Sequence, residues 1–180
     1  LNIHLIAQSV GGTASGGGQY CGVSGVGLLG LMGQNGSIMW QVSTDGGSTW
    51  TDTGITTDNG QGYANETITK CFRAVVTDGA FPPAFSNVVC VDVFPVTVAG
   101  SLSSNATFCG TSATGNLTLG GNTGNVLNWQ SSTDGGATWS SISNTTTSLN
   151  YTGTTQTTIF EAVVQNGSLC SIDTTNQVTI

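Results

Sequence analysis

Trp40-Gln41-Val42-Ser43-Thr44-Asp45-Gly46-Gly47-Ser48-Thr49-Trp50 recurs as Trp129-Gln130-Ser131-Ser132-Thr133-Asp134-Gly135-Gly136-Ala137-Thr138-Trp139. Nine of the eleven positions are identical, at an offset of 89 residues, and all four tryptophans end one of the two copies. Each copy reads as two short strands joined by a turn. Asp45-Gly46-Gly47 and Asp134-Gly135-Gly136 supply residues that accept positive φ, and the flanking Ser and Thr favour extended backbone. A tryptophan at each end places large rings where strands pack on one another or on a core.

Working outward, the same offset of 88 to 89 residues aligns further pairs. Leu29-x-Leu31 matches Leu117-x-Leu119, with alternate leucines facing inward. Cys71-Phe72-Arg73-Ala74-Val75-Val76 matches Ile159-Phe160-Glu161-Ala162-Val163-Val164, with Phe, Ala and Val on one face. Arg73 and Glu161 hold the same position with opposite charge, which marks the other face as solvated there. No stretch of ten residues keeps a helical period. Seven short strands per repeat, a Trp on the third and an aromatic opening the sixth, describe an all-β chain of tandem immunoglobulin-like β-sandwiches. Trp40, Phe72, Trp129 and Phe160 are the expected core anchors.

The alternating Leu1-Asn2-Ile3-His4-Leu5 resembles the strands that close each repeat, Val89-Cys90-Val91-Asp92-Val93 and Asn176-Gln177-Val178-Thr179-Ile180. Residues 1–7 therefore read as the last strand of a preceding repeat, 8–98 as the first repeat and 99–180 as the second. The Gly-rich stretches Val10-Gly11-Gly12-Thr13-Ala14 and Val98-Ala99-Gly100-Ser101-Leu102 read as connectors. They are short, which favours units set end to end. The chain opens mid-pattern with no visible leader, as would a slice of a longer array.

Only 6% of the 180 residues are charged, two basic (Lys70, Arg73) against nine acidic. A net charge of −7 repels a polyanion, so nucleic acid is excluded as a partner. No apolar run approaches the ~18–20 residues of a membrane-spanning helix, so this segment is not expected to insert. Five cysteines without a Cys-x-x-Cys and a single histidine, His4, argue against zinc and for disulfides in an oxidising compartment. Bridging Cys109 to Cys170 would close about 60 residues, near 4 kcal/mol by loop entropy. Cys71 and Cys90 flank a hairpin at mirror positions, and pairing them leaves Cys21 over. Cys21–Cys71 and Cys21–Cys90 are the competing pairings.

Ser43-x-Asp45-x-Gly47-x-Thr49-Trp50 and its copy resemble the Asp-box of sialidases and other β-propellers. That resemblance implies a structural hairpin in which Asp and Ser/Thr side chains tie down the turn. Propeller blades repeat at about half the period seen here, and a sialidase wants an arginine cluster where only Arg73 exists. His4 has no nucleophile motif around it, and no carboxylate pair recurs at acid/base spacing. No enzyme and no required cofactor are expected. Calcium near Asp58-Asn59 or Asp78 is the one metal to consider, without a clustered ligand loop. Asn-x-Ser/Thr sequons begin at Asn35, Asn65, Asn105, Asn116, Asn144, Asn150 and Asn166.

The combined pattern, Cys-Gly-x-Ser, Leu-x-Leu, Trp-Gln-x-Ser-x-Asp-Gly-Gly-x-Thr-Trp, Tyr, then Phe-x-Ala-Val-Val-x-Asn-Gly-x-x-Cys, resembles the immunoglobulin-like repeats of large Bacteroidetes cell-surface proteins. These are of the gliding-motility adhesin type, exported by type IX secretion. The second repeat fits from Cys109 to Ile180; the first departs at Pro82 and adds Cys71 and Cys90. The resemblance implies an extended extracellular filament at the bacterial surface, with repeats as spacers for attachment and motility. Its partners would be neighbouring repeats, surface glycans or other copies of the filament. Asp173-Thr174-Thr175 also resembles that phylum's O-glycosylation site. The alternatives are a glycan-binding module using Tyr20, Tyr63 or Tyr151, or a non-catalytic appendage of a secreted hydrolase.

Overall fold

The computed structural model describes residues 8–58, 60–79, 81–104 and 110–180. The expected strand of a preceding repeat, residues 1–7, lies outside them. The chain is all-β, and it divides into two compact units, one running to Phe94 and the other from Pro95 to Ile180. Pro95, Thr97 and Val98 bond within the second unit. The Asn166 side-chain amide donates to the Pro95 carbonyl (2.7 Å), its backbone N–H donates to Thr97 Oγ1 (3.1 Å), and Val98 bridges to Thr123. The division thus lies ahead of the Ala99-Gly100 junction read from the repeat.

The first unit comprises β1 (Thr13–Ser15), β2 (Gly18–Cys21), β3 (Val26–Met32), β4 (Ser37–Ser43), β5 (Thr51–Asp52), β6 (Gln61–Ala64), β7 (Lys70–Thr77), β8 (Ala84–Phe85) and β9 (Val89–Phe94). One sheet has the order β1-β3-β6; the other runs β2-β9-β7-β4-β5, with β8 also on β7. The first strand changes sheets part-way. β1 is antiparallel to β3, whereas β2 runs parallel to β9. Two glycines permit the crossing. Gly16 sits at φ 101°, and a Cβ on Gly17 would stand 2.3 Å from the Cys90 carbonyl oxygen. Thr13-Ala14, expected as connector, is therefore strand.

The second unit comprises β10 (Ser101–Ser104), β11 (Ala113–Gly120), β12 (Asn125–Ser132), β13 (Ser140–Ile142), β14 (Ser148–Thr154), β15 (Ile159–Gln165), β16 (Asp173–Thr174) and β17 (Val178–Thr179). Its sheets are β10-β11-β14 and β13-β12-β15-β16, with β17 on β15. Division of the first strand into β1 and β2 puts Trp40 on the fourth strand by count, whereas Trp129 lies on the third strand of its unit. In both units two antiparallel-dominated sheets face each other, which is the immunoglobulin-like sandwich.

Each unit has its own core. Leu29, Leu31, Trp40, Phe72, Ala74, Val76 and Val91 fill the first; Leu117, Leu119, Trp129, Phe160, Ala162 and Val164 fill the second. Period-2 alternation delivers them from facing strands. Trp40 opposes Ala74 across β4 and β7, and Trp129 opposes Ala162 across β12 and β15. A small residue beside each indole leaves room for the ring, and both tryptophans are 0% exposed.

Candidate functional site

The doubled hairpin is built from side chains that replace missing backbone bonds. Residues 44–50 leave β4 and return to β5 through Gly46 and Gly47, at φ 70° and 93°; Gly135 and Gly136 sit at 78° and 92°. Asp45 accepts from the Thr49 backbone N–H (2.9 Å), the Thr49 hydroxyl (2.6 Å) and the Ser43 hydroxyl (2.7 Å). Ser43 Oγ in turn accepts from the Gly47 N–H (2.8 Å). Asp134, Thr138, Ser132 and Gly136 repeat the set at 2.9, 2.5, 2.7 and 2.9 Å. Thr49's hydroxyl and N–H, then Ser43's hydroxyl, hold the Asp45 carboxyl well below its usual range, and Thr138 and Ser132 do the same for Asp134. Trp50 closes the turn by donating its indole N–H to the Gly47 carbonyl (3.0 Å). Every bond lies within the hairpin, so this arrangement shapes backbone.

Two further devices recur in both units. The indole N–H of Trp40 donates to the Thr57 carbonyl (3.0 Å), and that of Trp129 to Thr146 (2.9 Å), so each buried ring leaves no polar atom unpaired. The second is a dipeptide that ties the two sheets together. Ser86 Oγ accepts from the Ala74 N–H on β7 (2.9 Å), while Asn87 Oδ1 accepts from the Ala14 N–H on β1 (2.7 Å) and Asn87 Nδ2 donates to the Ala14 carbonyl (3.0 Å). In the second unit Thr175 Oγ1 accepts from Ala162 N–H (3.0 Å), and Asn176 brackets Leu102 at 2.7 and 3.4 Å. Sequence reasoning missed this lock. Its signal was available: the same hydroxyl-Asn pair precedes each closing strand.

Cys71 and Cys90 stand directly opposite across β7 and β9 and form a disulfide. Neither Cys21 nor Cys170 is left without a partner. The expected Cys109–Cys170 bridge falls on Cys109, which lies outside the described residues.

The outer face at Arg73 and Glu161 departs from expectation. Arg73 is half-buried, its guanidinium carbon 4.3 Å from the Trp50 ring and 4.4 Å from that of Phe85, and Nε donates to Gln41 Oε1 (2.9 Å). Glu161 is only 7% exposed and accepts from the side-chain amides of Gln130 (2.5 Å) and Gln177 (3.1 Å). Opposite charges are tolerated there because rings cover one and amides solvate the other, so this face is not simply solvated.

The tyrosines weighed for glycan stacking also sit elsewhere. Tyr63 and Tyr151 are 7% and 5% exposed, and Tyr20 is half-buried with its hydroxyl 2.9 Å from that of Tyr63. That hydrogen bond, then burial, pushes the Tyr63 hydroxyl up. An exposed platform is therefore not formed by Tyr63 or Tyr151. Asn59 of the calcium candidate lies outside the described residues. Among the described residues no three His, Cys, Asp or Glu side chains gather at metal-binding distance, and Asp78 is occupied with Asn35, whose Nδ2 donates to its Oδ2 (3.2 Å). A shallow polar depression of about 570 Å³ is lined by Gln34, Ser37, Ile38, Thr56, Thr57 and Asp58. No helix among the described residues is long and apolar enough to cross a membrane.

The chain folds as two immunoglobulin-like β-sandwiches, each carrying the same side-chain locks. It belongs to the family described as a domain of unknown function, DUF8696, whose model matches twice, over residues 10–95 and 98–180. No curated protein matches the chain. Among solved structures it is similar to the ligand-binding domain of human OSCAR, at 11% identity over 97% of this chain and 100% of that one, with a TM-score of 0.34. Domains A168–A170 of titin match at 12% identity over 94% and 66%, TM-score 0.46. The chicken interferon gamma receptor alpha chain matches at 8% over 96% and 97%, TM-score 0.34.

Proposed function

We propose that this segment is a structural spacer in an extended adhesin or filament at a bacterial cell surface, projecting an adhesive end for attachment and gliding. One observation carries the reading: the same sandwich occurs twice with the same hairpin, indole cap and Asn lock. Devices kept at matching positions serve each unit's rigidity, and stacked rigid units are how a chain gains reach. The Cys71–Cys90 disulfide supports a compartment outside the cytoplasm, in line with export. The resemblance to Bacteroidetes surface repeats supplies the filament and the secretion route.

The second reading is a glycan-binding module, favoured by the depression around Gln34, Thr56, Thr57 and Asp58. Its hydroxyls, amide and carboxylate suit sugar hydroxyls, though no aromatic ring lines it. A glycan array probed with the 180-residue segment separates the two. A spacer leaves every glycan unbound; saturable binding that Asp58→Ala abolishes replaces the spacer reading with the second.

A further inference from the structure

The outward row of β3 is apolar where the matching strand of the second unit is polar. Val26, Leu28 and Met32 are 80%, 58% and 75% exposed. Between the last two stands Gly30, where an added Cβ would have no atom within 4 Å. Their partners across the sheet are small and uncharged: Ser15 and Thr13 on β1, Gly62 and Ala64 on β6. In the second unit Asn116 and Thr118 occupy the positions of Leu28 and Gly30, and their side chains bond to neighbours. Asn116 Nδ2 donates to Ser148 Oγ (2.8 Å) and Asn150 Oδ1 (2.7 Å), and the Thr118 and Ser103 hydroxyls pair at 2.7 Å. The fold therefore does not require leucine or methionine there, since the same strand performs the same structural task with a polar outer row. Leaving large apolar side chains in water on one unit points to something that covers them.

We propose that this face docks onto the same face of a second copy of the chain. Charge steers a second copy to this face. The chain carries −7, so two copies repel almost everywhere, and this sheet face holds no charged side chain at which repulsion would concentrate. Shape favours it too. Leu28 and Met32 stand either side of the Gly30 notch, and a two-fold axis lying between the two faces, parallel to the sheets and crossing β3 level with Leu29, sets the Leu28 of each copy against the notch of the other. A self-complementary patch used twice is the isologous interface of a symmetric dimer. Size sets its strength. Three strands at about 4.8 Å spacing and a seven-residue β3 span roughly 300 Å², against about 800 Å² per partner in a standard interface. The dimer is weak and forms only at high protein concentration.

Sedimentation velocity on the whole 180-residue chain, from micromolar to near-millimolar, tests this. The expected result is a concentration-dependent dimer that strengthens with added salt, as screening of the like charges shortens from about 30 Å at 0.01 M to about 8 Å at 0.15 M. Leu28→Asn with Gly30→Thr installs the second unit's residues and should weaken association at least ten-fold. Met32→Gly, again the second unit's residue, should act in the same direction, and Asn116→Ala should leave association unchanged. Unfolding midpoints of the variants confirm that they fold. A wild-type chain monomeric throughout, or a dimer as strong in the folded Leu28→Asn/Gly30→Thr variant, overturns the proposal.

Discussion

Replacing Asn87 by alanine should destabilise the first unit far more than a surface position suggests. Asn87 is exposed by its overall area, and substitutions at such sites usually change stability by less than about 0.5 kcal/mol. Its amide, however, makes both hydrogen bonds to Ala14, 2.7 Å from the backbone N–H and 3.0 Å to the carbonyl. Ala14 is 4% exposed, so alanine at position 87 strands a buried donor and acceptor. Two lost bonds at about 1 kcal/mol each, plus incomplete resolvation of Ala14, give about 2–3 kcal/mol. With a urea slope of about 1–3 kcal/mol/M, the midpoint of the first unit should fall by about 0.7–3 M. Asn87→Asp keeps the acceptor but turns a second oxygen toward the Ala14 carbonyl, so it should not rescue. Asn150→Ala, an exposed amide on the second unit's outer face, is the control and should move its unit little. An Asn87→Ala midpoint within error of wild type would refute the lock.

Three further outcomes follow from the same geometry. Trp129→Ala removes a fully buried ring and the donor to Thr146, and should cost about 3–5 kcal/mol in the second unit's unfolding transition. Asp45 and Asp134 have folded-state pKa values depressed below the ordinary 3.8, so the unfolded chain takes up their protons first as pH falls. Their contribution is present above about pH 4 and is lost below it. The Asp45→Asn/Asp134→Asn variant should show a flatter melting temperature between pH 2 and 5 than wild type. Cys71→Ser/Cys90→Ser releases a 19-residue link and should cost about 3 kcal/mol, read as a lower midpoint that reductant no longer changes at this bridge.

The duplicated Trp-to-Trp phrase made the two sandwiches legible because its chemistry is local. A carboxylate, two glycines and two hydroxyls a few residues apart dictate the turn whatever surrounds it. The tryptophans were legible as core because alternation with Ala74 and Ala162 needs only period 2. The sheet crossing at Gly16-Gly17 was not, since a glycine run reads equally as connector or as a strand that bends. Nor was the outer face of β3. The match to Leu117-x-Leu119 showed Leu29 and Leu31 going in, as they do. Val-Gly-Leu-Leu-Gly-Leu-Met is apolar at nearly every step, however, so nothing local showed that Leu28 and Met32 stand uncovered on the other side. The burial of Glu161 depends on Gln177, sixteen residues away in sequence, which no local pattern reports. The Asn lock joins residues 73 and 74 apart and was visible only as a repeated dipeptide.

The proposed spacer role is tested most directly by exchange within the full-length protein that the gene encodes. Residues 8–180 are replaced by two unrelated β-sandwich domains of the same combined length, and attachment of cells to their surface is measured. A spacer predicts that attachment survives the exchange and falls when the segment is simply deleted. Loss of attachment in the length-matched exchange, with the protein still displayed at the surface, would contradict the account and place the recognition in this segment itself.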